Sequence, residues 1–158
     1  MALDGWRAYR PLIVMVSAVA LGSAALSFGT GLACMPLFMG LFLLNFAMFK
    51  FFDLDGFAKS FVLYDIIGKR SALYAKLYPF IELALAVGFL SHHAPYAVNL
   101  LTAIVMAVGL IGIVQNRMSG TQTRCACMGS LIDVPVGSVT VLENTVMVLM
   151  AVSQLIMN

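Results

Sequence analysis

Two cysteines one residue apart, Cys125 and Cys127, stand in the only polar stretch late in an otherwise apolar chain. Arg124 precedes them, Met128 and Gly129 follow, and Pro135 and Gly137 lead into a last apolar run. Neighbouring thiolates support two chemistries. They bind soft metals such as Cu(I), Zn(II) or Hg(II), to which the Met128 thioether adds a compatible donor. Two thiolates from one loop do not fill a zinc tetrahedron, so a third group or a bound partner would have to complete that site. They also cycle between dithiol and disulfide. Adjacent cysteines reach the Cα separation of about 4.4–6.8 Å that the bond requires, and the strain of a small ring raises its reduction potential and makes it labile. Arg124 favours the thiolate in either case. The third reading, two inert packed thiols, fits a polar, glycine-containing loop poorly.

Two carboxylates inside apolar runs join the candidates. Thr140-Val141-Leu142-Glu143 has the form of a capping box, in which the glutamate serves free backbone N–H groups at a helix start. That structural role is compatible with support of Cys127 from the same membrane depth. Glu82 follows Pro79 and has two placements. A helix beginning at Pro79 puts it in the first turn, where the helix dipole favours it. A helix beginning near Ala72 and interrupted at Pro79 puts it well within a bilayer, where a carboxylate is costly and by default functional. Both glutamates and both cysteines fall toward one end of the molecule, so a shared site is geometrically open.

The remaining polar residues carry less. Cys34 begins the second apolar run, at the far side of about 30 Å of hydrocarbon from Cys125 and Cys127, and is expected to be an ordinary apolar cysteine. His92-His93 fits a solvated outer loop better than a metal site, and most of the eleven methionines are expected to be packing material. Asn45 and Asn144 are expected to hydrogen-bond between helices. Asp53 and Asp55 with Gly56 lack the ligand series of a calcium loop and read as helix breaking and N-capping.

The elements that must position these groups are membrane spans. Of 158 residues, 62% are hydrophobic and 10% charged, against about 45–50% and about 25% in soluble domains; mean hydropathy is +1.00. No Asp, Glu, Lys or Arg occurs from Pro11 to Phe49, enough for two crossings at about 20 residues each. Phe28-Gly29-Thr30-Gly31 is the natural break. The predicted spans are 11–28, 34–51, 72–90 (interrupted by Pro79), 96–115 and 141–157. Between the second and third, residues 52–70 place Phe57, Phe61, Val62, Ile66 and Ile67 near helical spacing, as in a short amphipathic helix on the membrane surface. The fold class is an all-α integral membrane bundle, one domain over residues 1–158.

The nine basic residues set the orientation. Arg7 and Arg10 precede the first span. Lys50, Lys59, Lys69, Arg70 and Lys76 surround the second connection, and Arg117 and Arg124 lie in the fourth. In a five-span chain all face one side, and the positive-inside rule makes that side the cytoplasm, with the C-terminus outside and the Cys-x-Cys inside. Trp6, Tyr9, Tyr64, Tyr74 and Tyr78 form the expected inner aromatic belt, with Tyr96 outside. Arg7, Arg10 and the run up to Gly31-Leu32-Ala33-Cys34 loosely imitate a cleaved signal, but the leucine is misplaced and the first span is expected to stay. A net charge of +2 without a basic stripe does not point to nucleic acid, and none is expected as a partner; three cysteines are too few for a disulfide framework.

Several blocks resemble the MauE/DoxX family of redox-associated membrane proteins, named for methylamine utilisation. They are Phe49-Lys50-Phe51-Phe52-Asp53-Leu54-Asp55-Gly56-Phe57 with Tyr64-Asp65; Tyr78-Pro79-Phe80-Ile81-Glu82; and Cys125-Ala126-Cys127-Met128-Gly129 with Val134-Pro135-Val136-Gly137 and Leu142-Glu143-Asn144. The resemblance covers about residues 10–155 and implies a bacterial inner-membrane protein tied to maturation of disulfide-containing partners, in some relatives to metal handling. Its recurrent positions fall here on Glu82, Cys125, Cys127, Pro135 and Glu143. The expectation is a thiol-redox protein exchanging electrons with a thioredoxin- or glutaredoxin-like partner through Cys125 and Cys127, supported by Glu82 and Glu143 and assisted by a quinone, although no quinone motif is visible. The alternative is a soft-metal binder or transporter holding Cu(I) or Hg(II) on Cys125, Cys127 and Met128, supplied by a metal chaperone.

Overall fold

The computed structural model describes residues 2–92, 94–118 and 136–157, with side-chain surroundings given from Arg10 onward except at 11, 117 and 136–139. Six helices follow in chain order: α1 (Ala2–Thr30), α2 (Cys34–Phe52), α3 (Leu54–Tyr64), α4 (Ala72–Leu90), α5 (Pro95–Met118) and α6 (Val136–Met157). All but α3 are long and apolar enough to cross a membrane, with spans at Leu12–Thr30, Cys34–Phe52, Ala72–Leu90, Pro95–Asn116 and Thr140–Met157. The described residues contain no strand. This is the helical membrane bundle that the composition requires.

The predicted breaks hold for local reasons. Gly31 adopts φ +70°, open to glycine at little cost, and the Ser27 hydroxyl donates to the Leu32 carbonyl at 2.6 Å to close the turn into α2. Asp53 caps α3 by accepting from the Gly56 N–H at 3.0 Å, as its position predicts. The interfacial helix is shorter than the apolar spacing implies, because Asp65 is extended and ends it at Tyr64. Asp65 Oδ1 then accepts from the N–H groups of Ile67 (2.9 Å) and Gly68 (2.7 Å), folding the chain toward α4. Ser71 caps α4, accepting from Tyr74 N–H at 3.3 Å.

The most extensive packing is α5 on α6 and α2 on α4; α1 leans on α2, and α3 tucks against α4 and α5. One apolar core joins α1, α2, α4, α5 and α6 around Phe42, Phe46, Phe89, Met106 and Met147. A second, at the α3 end, is built from Phe57, Phe61, Tyr64, Tyr78 and Ile113. Met39, Met106 and Met147 are fully buried packing residues, as expected of unbranched side chains that fill irregular gaps. Leu21, Phe28, Phe52 and Leu149 face outward at 65–92% exposure, a cost in water and none in lipid.

Candidate functional site: a buried ion cluster at the α3 end of the bundle

In each of three helices the inward face is set by helical spacing, and each face carries one charged residue. On α2 the buried line Met39, Leu43, Phe46 continues at the same spacing to Lys50. On α4 the buried residues Ala75, Tyr78, Pro79, Glu82, Leu85, Ala86 and Phe89 recur three and four apart. On α6 Thr140, Glu143, Asn144, Met147 and Ala151 do the same. The three helices therefore deliver an ammonium and two carboxylates to one interior point.

Lys50 Nζ donates to Glu82 Oε1 and lies 3.5 Å from Glu143 Oε1. Lys50, Glu82 and Glu143 are 2%, 0% and 1% exposed. Three aromatic rings enclose the ammonium, with centroids at 5.2 Å (Tyr78), 5.5 Å (Phe57) and 5.9 Å (Phe46), within the range in which ring faces attract a cation. The Tyr78 ring is wedged against Phe61 at 4.5 Å, and its hydroxyl donates to Met106 Sδ at 3.8 Å. Glu143 Oε2 is buried with no hydrogen-bond partner among the described residues. Removing one member of a pair this deep typically costs about 3–5 kcal/mol, because the charge left behind is buried and poorly compensated.

Glycines let the helices close around this point. A Cβ at Gly109 of α5 would sit 2.9 Å from Asn144 Nδ2, so its absence admits the Asn144 side chain between α5 and α6, next to Glu143. At Gly112 a Cβ would fall 2.6 Å from the Tyr64 carbonyl oxygen, so glycine there lets α5 approach the α3 end.

Several sequence expectations change. α6 begins at Val136, not 141, so Glu143 lies inside the helix; it does not cap it but faces Lys50. The two placements of Glu82 resolve: α4 runs through Pro79 and buries Glu82 at its middle. Lys50 is not a surface anchor of the second connection, because it sits on the inward line of α2. Tyr64 and Tyr78 leave the expected aromatic belt for the core, at 4% and 3% exposure. Asn45 donates to Leu41 of its own helix at 2.8 Å instead of bridging helices. Cys34 is exposed at the start of α2, its thiol 3.8 Å from the Ser23 hydroxyl. His92 is exposed. Cys125, Cys127, Met128 and His93 lie outside the described residues. No group of three or more His, Cys, Asp or Glu poised for a metal occurs among the described residues.

Outside the spans, two carboxylates differ. Burial pushes the Asp65 carboxyl above its ordinary range, against the Gly68 and Ile67 N–H groups and Lys69, which pull it down. The hydrogen bond from Lys76, 2.8 Å away at the surface, holds Asp55 below its ordinary range.

Lys50 is the member of the buried cluster that sequence reasoning missed. The available signal was its spacing from Phe46 and Leu43, four and seven residues back on one helix face, although only the packing shows that this face is the inward one.

A family model, that of the methylamine utilisation protein MauE, matches residues 29–157. No curated protein and no solved structure matches the chain. The matched range contains Lys50, Glu82 and Glu143 together with Cys125 and Cys127.

Proposed function

The chain belongs to the MauE family, and on that premise we propose that it is a multi-pass membrane thiol-redox protein whose Cys125 and Cys127 exchange a disulfide with a thioredoxin-like partner. In that exchange the dithiol of one protein becomes a disulfide while the disulfide of the other becomes a dithiol. Two electrons and two protons move together, and no further oxidant is consumed. A Cys125 or Cys127 thiolate attacks the partner's disulfide, a mixed disulfide forms, and the second cysteine releases the partner.

The observation that carries this reading is the burial of Lys50, Glu82 and Glu143 in one cluster at the α3 end of the bundle. α5 approaches Tyr64 and Asp65 through Gly112, and in this reading Cys125 and Cys127 act at that same end of the bundle. Ionisable groups held in hydrocarbon are costly and mark proton or electron chemistry more often than architecture. The thiols supply the electrons, and Glu82 and Glu143 supply the ionisable groups. Exposed Lys59, Lys69, Arg70 and Lys76 at the same end support an orientation with this end in the cytoplasm of a bacterial inner membrane, where thiols are kept reduced between turnovers.

A redox titration of the purified full chain, read by thiol alkylation, tests the proposal. A two-electron transition that vanishes in Cys125→Ser/Cys127→Ser is the expected result. Stoichiometric Cu(I) or Hg(II) on the same pair, with no two-electron transition at accessible potentials, would replace exchange by metal handling.

A further inference from the structure

We propose that the Lys50, Glu82 and Glu143 cluster is a proton-binding site that holds one exchangeable proton, with Glu143 as the group that takes it up and releases it. The inference stands on the cluster alone and does not depend on the thiol reading.

Among the described residues the charges do not balance without that proton. One ammonium faces two carboxylates, all within a core where an uncompensated charge is far more costly than at a surface. Two acidic groups serving one site share protons as a unit, and the count of protons belongs to the cluster. The contacts then distinguish the two glutamates. Lys50 Nζ is in direct hydrogen-bond contact with Glu82 Oε1, whereas Glu143 Oε1 stands 3.5 Å off, at the outer limit of a hydrogen bond. Lys50 and Glu82 form the ion pair, and the unbalanced negative charge falls on Glu143. Uptake converts its carboxylate to a carboxylic acid with a proton from water, and release returns that proton.

No other charged side chain described near the cluster cancels the imbalance. α4 contributes the phenols of Tyr78 and, farther out, Tyr74; Asp65 at the foot of α4 adds a further acid, and α3 presents Phe57 and Tyr64. The Phe46, Phe57 and Tyr78 rings around Lys50 stabilise the ammonium.

Infrared pH titration of the full chain in lipid nanodiscs tests this directly. The wild type is expected to show a protonated carboxylic-acid band near neutral pH that shifts in heavy water. The same spectrum from Asp65→Asn retains the band, which separates it from the other buried acid. Glu143→Gln leaves the balanced Lys50 and Glu82 pair and is expected to lose the band. Glu82→Gln, which leaves Lys50 with Glu143, is expected to lose it too and guards against misfolding of the first variant. In Lys50→Met the band is expected to grow, because two carboxylates must then be neutralised. Absence of the band in the wild type, or its survival in folded Glu143→Gln, would overturn the proposal, whatever the redox titration of the cysteines gives.

Discussion

Lys50 and Glu82 are separated by a surface connection and a whole interfacial helix, yet the ammonium of one is in hydrogen-bond contact with the carboxylate of the other, at 2% and 0% exposure. This contact ties the end of α2 to the middle of α4, the two helices that share one of the most extensive interfaces in the bundle. It also makes the pair sensitive to how it is broken.

Removing one partner is expected to cost more than removing all of them. Glu82→Ala leaves Lys50 with the longer contact to Glu143 and opens a cavity beside the ammonium, and is expected to lower stability by about 3–5 kcal/mol. Replacing the whole set, Lys50→Met with Glu82→Gln and Glu143→Gln, keeps the volume and strands no charge, and is expected to cost far less. Thermal unfolding in detergent, followed by far-UV circular dichroism, ranks the two variants. A triple variant that melts below Glu82→Ala would show that the charges themselves hold the helices together.

The cysteine variant is expected to separate redox chemistry from architecture. Cys125→Ser/Cys127→Ser should melt with the wild type, since serine nearly matches cysteine in size, and should lose the two-electron transition. In the wild type that transition should follow a Nernst slope of about 30 mV per decade, as a two-electron couple requires. A slope of about 59 mV, the one-electron value, would point to chemistry other than disulfide formation.

Asp65 gives a pH dependence of defined sign. Its carboxyl is raised in the folded protein by burial, so the folded state binds its proton more tightly than the unfolded chain. Stability is therefore expected to fall as pH rises from the ordinary carboxylate range through the raised value, and to level off above it. Asp65→Asn keeps an oxygen for the Ile67 and Gly68 N–H groups and removes the titration. Melting temperature against pH should lose that slope in the variant. Exposed Asp55 is shifted the other way by Lys76, and its replacement by Asn should leave the profile near neutral pH unchanged.

Gly112→Ala is expected to be more harmful than Gly40→Ala. At Gly112 the added methyl meets the Tyr64 backbone carbonyl at 2.6 Å, which cannot rotate away; at Gly40 it meets the Leu90 side chain at 2.8 Å, which can. Overpacking of this kind costs about 1–3 kcal/mol, and the difference should appear as a lower melting temperature for the Gly112 variant. Equal melting temperatures would mean that α5 can slide away from the α3 end freely.

Much of this protein was legible in its sequence. Runs without charge between Pro11 and Phe49, and again in the later spans, fix the number of crossings, because a backbone in hydrocarbon must satisfy itself within a helix of sufficient length. Asp53 and Gly31 mark turns by chemistry that acts within four residues. The family was legible in the order of its blocks, from Phe49 to Asn144. Which face of each helix points inward was not. In a span whose lipid face is as apolar as its core, hydropathy carries no direction, and Phe46 on the inside reads the same as Phe52 on the outside. The tertiary structure alone decided that Lys50 turns inward to Glu82 and Glu143, that Glu143 is no cap, and that Tyr64 and Tyr78 line the core. Those three charged side chains lie far apart in sequence, and only the packing of α2, α4 and α6 brings them to one point.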